Sequence, residues 1–247
     1  MRSAVQVIRI PILPLGMVNA HLIRSDRACV LVDAGLPGSE KKIQRVLRSV
    51  GWSFKDISLI VITHAHVDHA GSAASIRELS GAPIVAHEGD AKHYSGEAPM
   101  TFCPTGWFGR VFYKTGLVLE PYAPFAPDIL LSGTDTLDLE KYGFQGRVRP
   151  TPGHTAGSIS VELSTQRGLV GDLVASGILL GGIVMKGRAM RPPYEDDPML
   201  VAKELRRLVD SGMTEFHMGH GGPLSAKEVL RHAAVLAKIG RKDSWST

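Results

Sequence analysis

Two cysteines in 247 residues are too few to found a disulfide framework. Cys29 lies in the apolar run Ala28-Cys-Val-Leu-Val32 and reads as a small core residue, and its spacing from Cys103 calls for no bridge. Long apolar runs are also missing: no window approaches the roughly 20 residues of a membrane-spanning helix. The first residues lack a secretory pattern, because Arg9, Pro11 and Pro14 break their apolar stretch and no small-residue cleavage site follows. The expectation is a soluble, cytoplasmic protein without membrane association. Basic clusters are equally scarce. The net charge is +4, but no basic run exceeds pairs such as Lys41-Lys42, Arg206-Arg207 and Arg241-Lys242. A nucleic-acid face needs a denser stripe, so no nucleic-acid partner is expected; the charge serves solubility and pulls weakly on anionic substrates.

What is present is a regular alternation of short apolar segments and turns. Val5 to Ile10, Val18 to Arg24 and Ala28 to Val32 read as strands. Ser39 to Val50 spaces Ile43, Val46, Leu47 and Val50 as an amphipathic helix does. Ile57 to Ile62 is a continuous apolar strand, Thr63 to His69 a loop, Gly71 to Leu79 a helix and Pro83 to Ala86 another strand. Strands resume at Ile129 to Leu131, Thr136 to Leu139, Arg147 to Arg149, Ser158 to Leu163 and Leu169 to Val170. Asp197-Pro198 supplies an N-cap and first-turn proline for a helix to about Val209. Glu215 to Met218 is a last strand, and Ser225-Ala-Lys-Glu228 reads as a capping box opening the final helix. Two stacked sheets with helices outside would bury all these apolar faces.

Aromatics make up only 6% of the chain, yet they crowd one irregular stretch at about 92–127. Phe102, Trp107, Phe108, Phe112, Tyr113, Tyr122 and Phe125 lie there among Pro99, Pro104, Pro121, Pro124 and Pro127. Long irregular segments in compact domains are often functional, so a lid or substrate wall is expected. A plain surface excursion is the bland reading, and a homodimer contact is another use for it.

The segment Thr63-His64-Ala65-His66-Val67-Asp68-His69 carries the chemistry. Four metal-binding side chains in six residues are costly in a core and unnecessary on a surface, and imidazole with carboxylate suits zinc and related divalent metals. Alternating side chains would diverge, His64 and His66 facing one ion, Asp68 and His69 a second. One segment cannot complete two sites. His154, in Pro152-Gly-His-Thr-Ala-Gly157, Asp172, after Val170-Gly171, and His220, in Met218-Gly-His-Gly221, each follow a strand with glycine alongside. A lone histidine in a glycine-rich turn is more often a hydrogen-bonding residue; four such segments in order are not. His21, His87, His93, His217 and His232 are weaker candidates, since lone histidines are seldom ligands.

These segments resemble the successive metal motifs of the metallo-β-lactamase superfamily. The match covers His-x-His-x-Asp-His, Gly-His-Thr-x-Gly-Ser, Gly-Asp and a late Gly-His-Gly, with Asp33 in Leu31-Val-Asp-Ala-Gly35 matching the first motif. The resemblance spans about Val18 to Pro223. It implies an α/β fold, a single-domain four-layer αββα sandwich, with the metals at one edge of the sheets. It implies that His64, His66 and His154 bind one metal, that Asp68, His69 and His220 bind the other, and that Asp172 bridges them. Asp33 would steady the ligand loop. The expected cofactor is two Zn2+ ions, with Fe or Mn as alternatives, sharing a bridging hydroxide that attacks the substrate. Asp68 would orient that nucleophile and take its proton.

The departures narrow the choice. Class B1 lactamases place Cys where Asp172 stands, and other lactamase classes lack a bridging Asp, so β-lactam hydrolysis is a secondary expectation. His66 departs from the flavodiiron pattern, the short stretch after His220 leaves no room for the helical domain of glyoxalase II-type enzymes, and nuclease insertions are missing. The remaining expectation is hydrolysis of an ester, lactone or thioester, since acyl-homoserine-lactone lactonases are similar in length and ligand set. The small-molecule substrate would be acyl or apolar. Tyr194, in Arg191-Pro-Pro-Tyr194, could donate to a developing oxyanion; its bland reading is a packed loop aromatic. An iron-dependent dioxygenase on the same fold, or a non-enzymatic metal-binding protein, are the alternatives from other classes.

Overall fold

Strands buried on both faces need apolar residues at nearly every position, and Cys29–Val32 and Ile57–Val61 supply them. The computed structural model describes residues 5–181 and 184–243. Its first sheet holds β1 (Gln6–Pro11), β2 (Asn19–Arg24), β3 (Cys29–Val32), β4 (Ile57–Val61), β5 (Ile84–His87) and β6 (Ile129–Leu131), side by side in that order. The first three are antiparallel, and β3 to β6 run parallel. Parallel neighbours need crossovers. These are α1 (Glu40–Ser49), the single turn α2 (Val67–Ala70) followed by α3 (Ala73–Ser80), and a long connection holding α4 (Ala91–Tyr94) and α5 (Gly106–Lys114).

The second half contains β7 (Leu137–Asp138), β8 (Gly146–Pro150), β9 (Ile159–Leu163) and β10 (Arg167–Leu169). A small ribbon of β11 (Ala175–Ser176) and β12 (Ala189–Met190) brackets α6 (Ile178–Gly181). The chain then runs through α7 (Pro198–Asp210), β13 (Glu215–His217), β14 (Leu224–Ser225) and α8 (Ala226–Asp243). The second sheet has the order β14-β13-β10-β9-β8-β7, with β10 and β13 parallel.

Alternation along the strands divides the core into layers. On β4, Leu59 and Val61 pack with Val148, Val161 and Leu169 of the second sheet. Ile60 and Ile62 point the other way, onto Ile43 and Leu47 of α1 and Ile76 of α3. On the far side, Phe216 of β13 packs under Leu205 and Leu208 of α7 and Val229, Ala233 and Leu236 of α8. The order is helix, sheet, sheet, helix: one αββα domain. No helix among the described residues is long and apolar enough to cross a membrane.

Two local readings change. The α7 cap is as the sequence implies, Asp197 accepting from Met199 N at 2.8 Å and Leu200 N at 2.9 Å. The α8 cap is only half a capping box. Ser225 Oγ accepts from Glu228 N at 3.4 Å, but the Glu228 carboxylate takes Arg231 and Ala189 N instead. Residues 92–127 are less irregular than their prolines suggest, because α5 occupies nine of them. The segment is pinned at both ends: Phe125 N donates to Tyr94 O at 2.8 Å and the two rings lie 5.2 Å apart in the core. Within α5, Phe108 and Phe112 stack one turn apart, while Trp107 and Val111 face solvent.

Candidate metal centre

The ends of β3, β4, β8, β10 and β13 meet at one edge of the sandwich, and each hands a polar side chain to that edge. After β4 the chain bends at Ala65, is extended at His66 (φ −62°, ψ 147°) and then turns into α2. The loop read from sequence therefore ends at His66, with Asp68 and His69 on a helical turn. That change of geometry, more than strand alternation, sends the two pairs of ligands apart. Asp33, just past β3, takes φ +64°, costly for a residue with a Cβ. The strain is held by its own N–H, which donates to Val61 O at 2.8 Å, and by its carboxylate. Oδ1 accepts from Thr63 N at 2.8 Å; Oδ2 accepts from Thr63 Oγ1 at 3.0 Å and His69 Nδ1 at 2.9 Å.

All seven sequence candidates converge. His64, His66, His154 and Asp172 form one group, and Asp68, His69 and His220 another, with ligand-type atoms inside each within 4.8 Å of one another. His154 Nε2 lies 3.1 Å from His64 Nε2 and 3.2 Å from His66 Nδ1. Two imidazole nitrogens bound tetrahedrally to one zinc at ~2.0–2.1 Å are about 3.3 Å apart. Asp172 spans both groups: Oδ2 is 2.9 Å from His220 Nε2 and 3.8 Å from His154 Nε2, and Oδ1 is 3.4 Å from His69 Nε2. Asp68 Oδ2 is 3.4 Å from His220 Nε2.

Hydrogen bonds fix which nitrogens face inward. His69 Nδ1 donates to Asp33, and His220 Nδ1 donates to Met17 O. Thr63 Oγ1 gives its proton to Asp33 and so accepts from His64 Nδ1, 3.0 Å away. Nε2 of all three rings is left pointing into the site. His69 Nε2 and Asp172 Oδ1 are buried with no hydrogen-bond partner among the described residues, which is expensive unless a cation completes them. The donor set thus fits a metal.

Titration behaviour agrees. Burial, with neighbouring imidazoles, pushes His64 and His66 well below 6.5, and His154 to about 4. Burial opposes charge on His69 and His220 too. There Asp172, with Asp33 and Asp68 for His69 and with Asp68 for His220, outweighs it, holding His69 well above 6.5 and His220 at about 9. Burial would raise Asp172, yet His220 and His69 hold it well below 3.8. Negative charge here retains protons that a metal would replace.

The centre floors a cavity of about 620 Å³ whose upper walls are apolar: Leu13, Leu36, Phe102, Phe108, Phe112 and Leu117. Phe102 stacks on His66, ring centres 4.8 Å apart. Tyr194 is buried against Phe102 and His66, its hydroxyl without a partner among the described residues. Burial, then Asp68 and Tyr113, raise it to about 12, so it stays protonated. The other histidines lie outside both groups. His87 bonds to Gly133 O and Gly89 N, His93 to Ala98 O, and His21 and His217 pack edge-on; His232, on α8, is buried. Sequence reasoning missed Asp90 and Tyr122, which reach the ligand loops. Neither stands beside a histidine in sequence, and only the fold brings them there.

The family model for the metallo-beta-lactamase superfamily matches residues 13–220. YobT of Bacillus subtilis (strain 168), an uncharacterized protein, is 29% identical over 90% of this chain and 91% of its own. YflN of the same organism, described as a probable metallo-hydrolase, is 28% identical over 91% of this chain and 88% of its own. Among solved structures, the metallo-beta-lactamase family protein TTHA1429 from Thermus thermophilus superposes with a TM-score of 0.64 at 22% identity, covering 96% of this chain and 79% of that one. The family match, the αββα layers and the His/Asp groups at the sheet edge agree: this chain belongs to the metallo-β-lactamase superfamily, as a metal-dependent hydrolase.

Proposed function

We propose that the chain hydrolyses an ester, lactone or thioester of a neutral, apolar acyl group, using two zinc ions. The observation that carries this is the pairing of two ligand groups, shared through Asp172, with an apolar cavity directly above them. His64, His66 and His154 would hold one ion, Asp68, His69 and His220 the other, and Asp172 both. When bound, such a pair brings the pKa of water toward neutrality and polarises a carbonyl.

The chain's own residues supply the rest. Phe108 and Phe112 hold the acyl group, and Leu13 and Leu36 close the apolar space around it. Asp68 lines the cavity; it orients water for attack on the carbonyl carbon and takes the proton. Water oxygen forms the new bond to carbon, the carbon–oxygen or carbon–sulfur bond breaks, and the proton passes from Asp68 to the leaving alkoxide or thiolate. Tyr194, held protonated, donates to the carbonyl oxygen as it gains charge.

The cavity also favours neutral substrates over β-lactam antibiotics, which carry a carboxylate. Its described lining contains neither Lys nor Arg, and Glu120 stands in it. A panel of acyl lactones, thioesters, aryl esters, penicillins and phosphodiesters, assayed on protein of measured metal content, tests the proposal. Turnover should be highest on a neutral acyl lactone or thioester. Preference for a penicillin or phosphodiester, or oxygen consumption with bound iron, would overturn it.

A further inference from the structure

Asp90 has no catalytic reach and is 1% exposed, yet it makes three hydrogen bonds, all to ligand-bearing loops. Its Oδ2 accepts from Ala65 N at 3.0 Å and Thr155 Oγ1 at 2.9 Å, and its Oδ1 accepts from Gly157 N at 2.9 Å. Ala65 lies between His64 and His66, and Thr155 follows His154. One carboxylate therefore ties together the two segments that carry all three histidines of the first group. None of its bonds goes to Asp68, His69 or His220.

The packing is built for that approach. A Cβ on Gly157 would sit 2.5 Å from Asp90 Cγ, and one on Gly89 would sit 2.6 Å from Ala156 C. Both glycines let the turn carrying Asp90 lie directly on the loop carrying His154. Ala65 is held from its other side too, because Tyr122 Oη donates to Ala65 O at 3.0 Å. Asp33 serves differently: it bonds His69 directly and reaches His64 only through Thr63.

We propose that Asp90 is the positioning residue of the first metal site alone, holding His64, His66 and His154 at their mutual spacing, while the second site is oriented by Asp33. This rests on the two-metal reading above. The division follows from rigidity. Three nitrogens from two loops converge only if the loops keep their separation, and a buried acceptor bridging both backbones is what fixes it. Asp90→Asn keeps size and removes one acceptor oxygen, placing an amide N–H against N–H or O–H donors.

The test is cobalt(II) titration of the full-length chain stripped of metal, followed by d–d absorption. Wild type should take two equivalents. In Asp90→Asn one equivalent should weaken about tenfold to a hundredfold, the range for a partner supporting a metal ligand, with its absorption band altered and the other unchanged. The weakened equivalent should be the one that survives His220→Ala, not the one that survives His66→Ala. Thr155→Val should weaken the same equivalent less, and Thr155→Ser should restore it; this pair carries the test if Asp90→Asn fails to fold. Equal weakening of both equivalents, or of neither, overturns the proposal. A wild-type chain that binds one equivalent overturns the two-metal reading instead, and Asp90 is then judged by whether that equivalent weakens.

Discussion

Replacing Tyr194 with phenylalanine should separate activity from stability. The ring is buried and packs against Phe102 and His66, while the hydroxyl has no hydrogen-bond partner among the described residues. Tyr194→Phe keeps the ring contacts and removes only that oxygen. A buried polar group without a partner costs about 1–3 kcal/mol, and in a chain of this size each kcal/mol moves Tm by roughly 2–4 °C. The variant should therefore melt at the wild-type temperature or a few degrees above it. Its turnover should drop, since a hydroxyl with no resting partner is free to bond the oxygen that gains charge during attack. Loss of one such donor lowers kcat by about a hundredfold to a thousandfold. KM should stay near wild type, because the bond forms only as the reaction proceeds. Thermal melting and steady-state kinetics on the best ester, lactone or thioester give both numbers from one preparation. Unchanged kcat would reduce Tyr194 to a packing residue. A fall in Tm of several degrees would show that the hydroxyl is satisfied in the resting protein, and the argument from its isolation would fail.

Gly219→Ala should cost metal, because a Cβ there would collide with His69 Cε1 and Asp172 Oδ1; elemental analysis should find less than the wild-type metal content in protein whose circular dichroism is intact, and full loading would contradict this. Phe112→Ala should flatten the dependence of kcat/KM on acyl chain length, which at ~0.8 kcal/mol per buried methylene is about fourfold per carbon in a closed apolar wall; an unchanged slope would place the acyl group elsewhere. His232, 3% exposed, is lowered by burial, then by Arg231 and Arg191, to about 4. The unfolded chain, near 6.5, takes the proton first as pH falls. Stability should therefore be lost between about pH 6.5 and 4, by at most on the order of 3 kcal/mol, and urea titrations of His232→Leu should lack that part of the acid loss.

The sequence shows its fold where chemistry and periodicity coincide. Ile57 to Ile62 is legible as a doubly buried strand because every position but Ser58 is apolar, and the structure uses both faces, Leu59 and Val61 inward, Ile60 and Ile62 outward. The seven ligand-type residues are legible because four of them crowd into six positions after a strand, and the other three each follow a strand beside glycine, where such side chains have little structural use. What was not legible depends on partners distant in the chain. α5 hid behind prolines and glycines, since its helical face is defined by the cavity its phenylalanines line. Glu228 looked like half of a capping box, yet Ala189 N and Arg231 compete for it, and a charged donor outweighs a helix-end amide. Asp90 is the clearest case. An aspartate after a strand and a glycine reads as an ordinary turn, and its meaning arises only when Ala65 and Thr155, 25 residues before it and 65 after, close around it. Ligands announce themselves by type; the residues that hold ligands in place are ordinary in type and unusual only in position. Orienting residues in this fold are therefore found by following hydrogen bonds outward from the histidines, as Thr63 leads to Asp33 and Thr155 to Asp90.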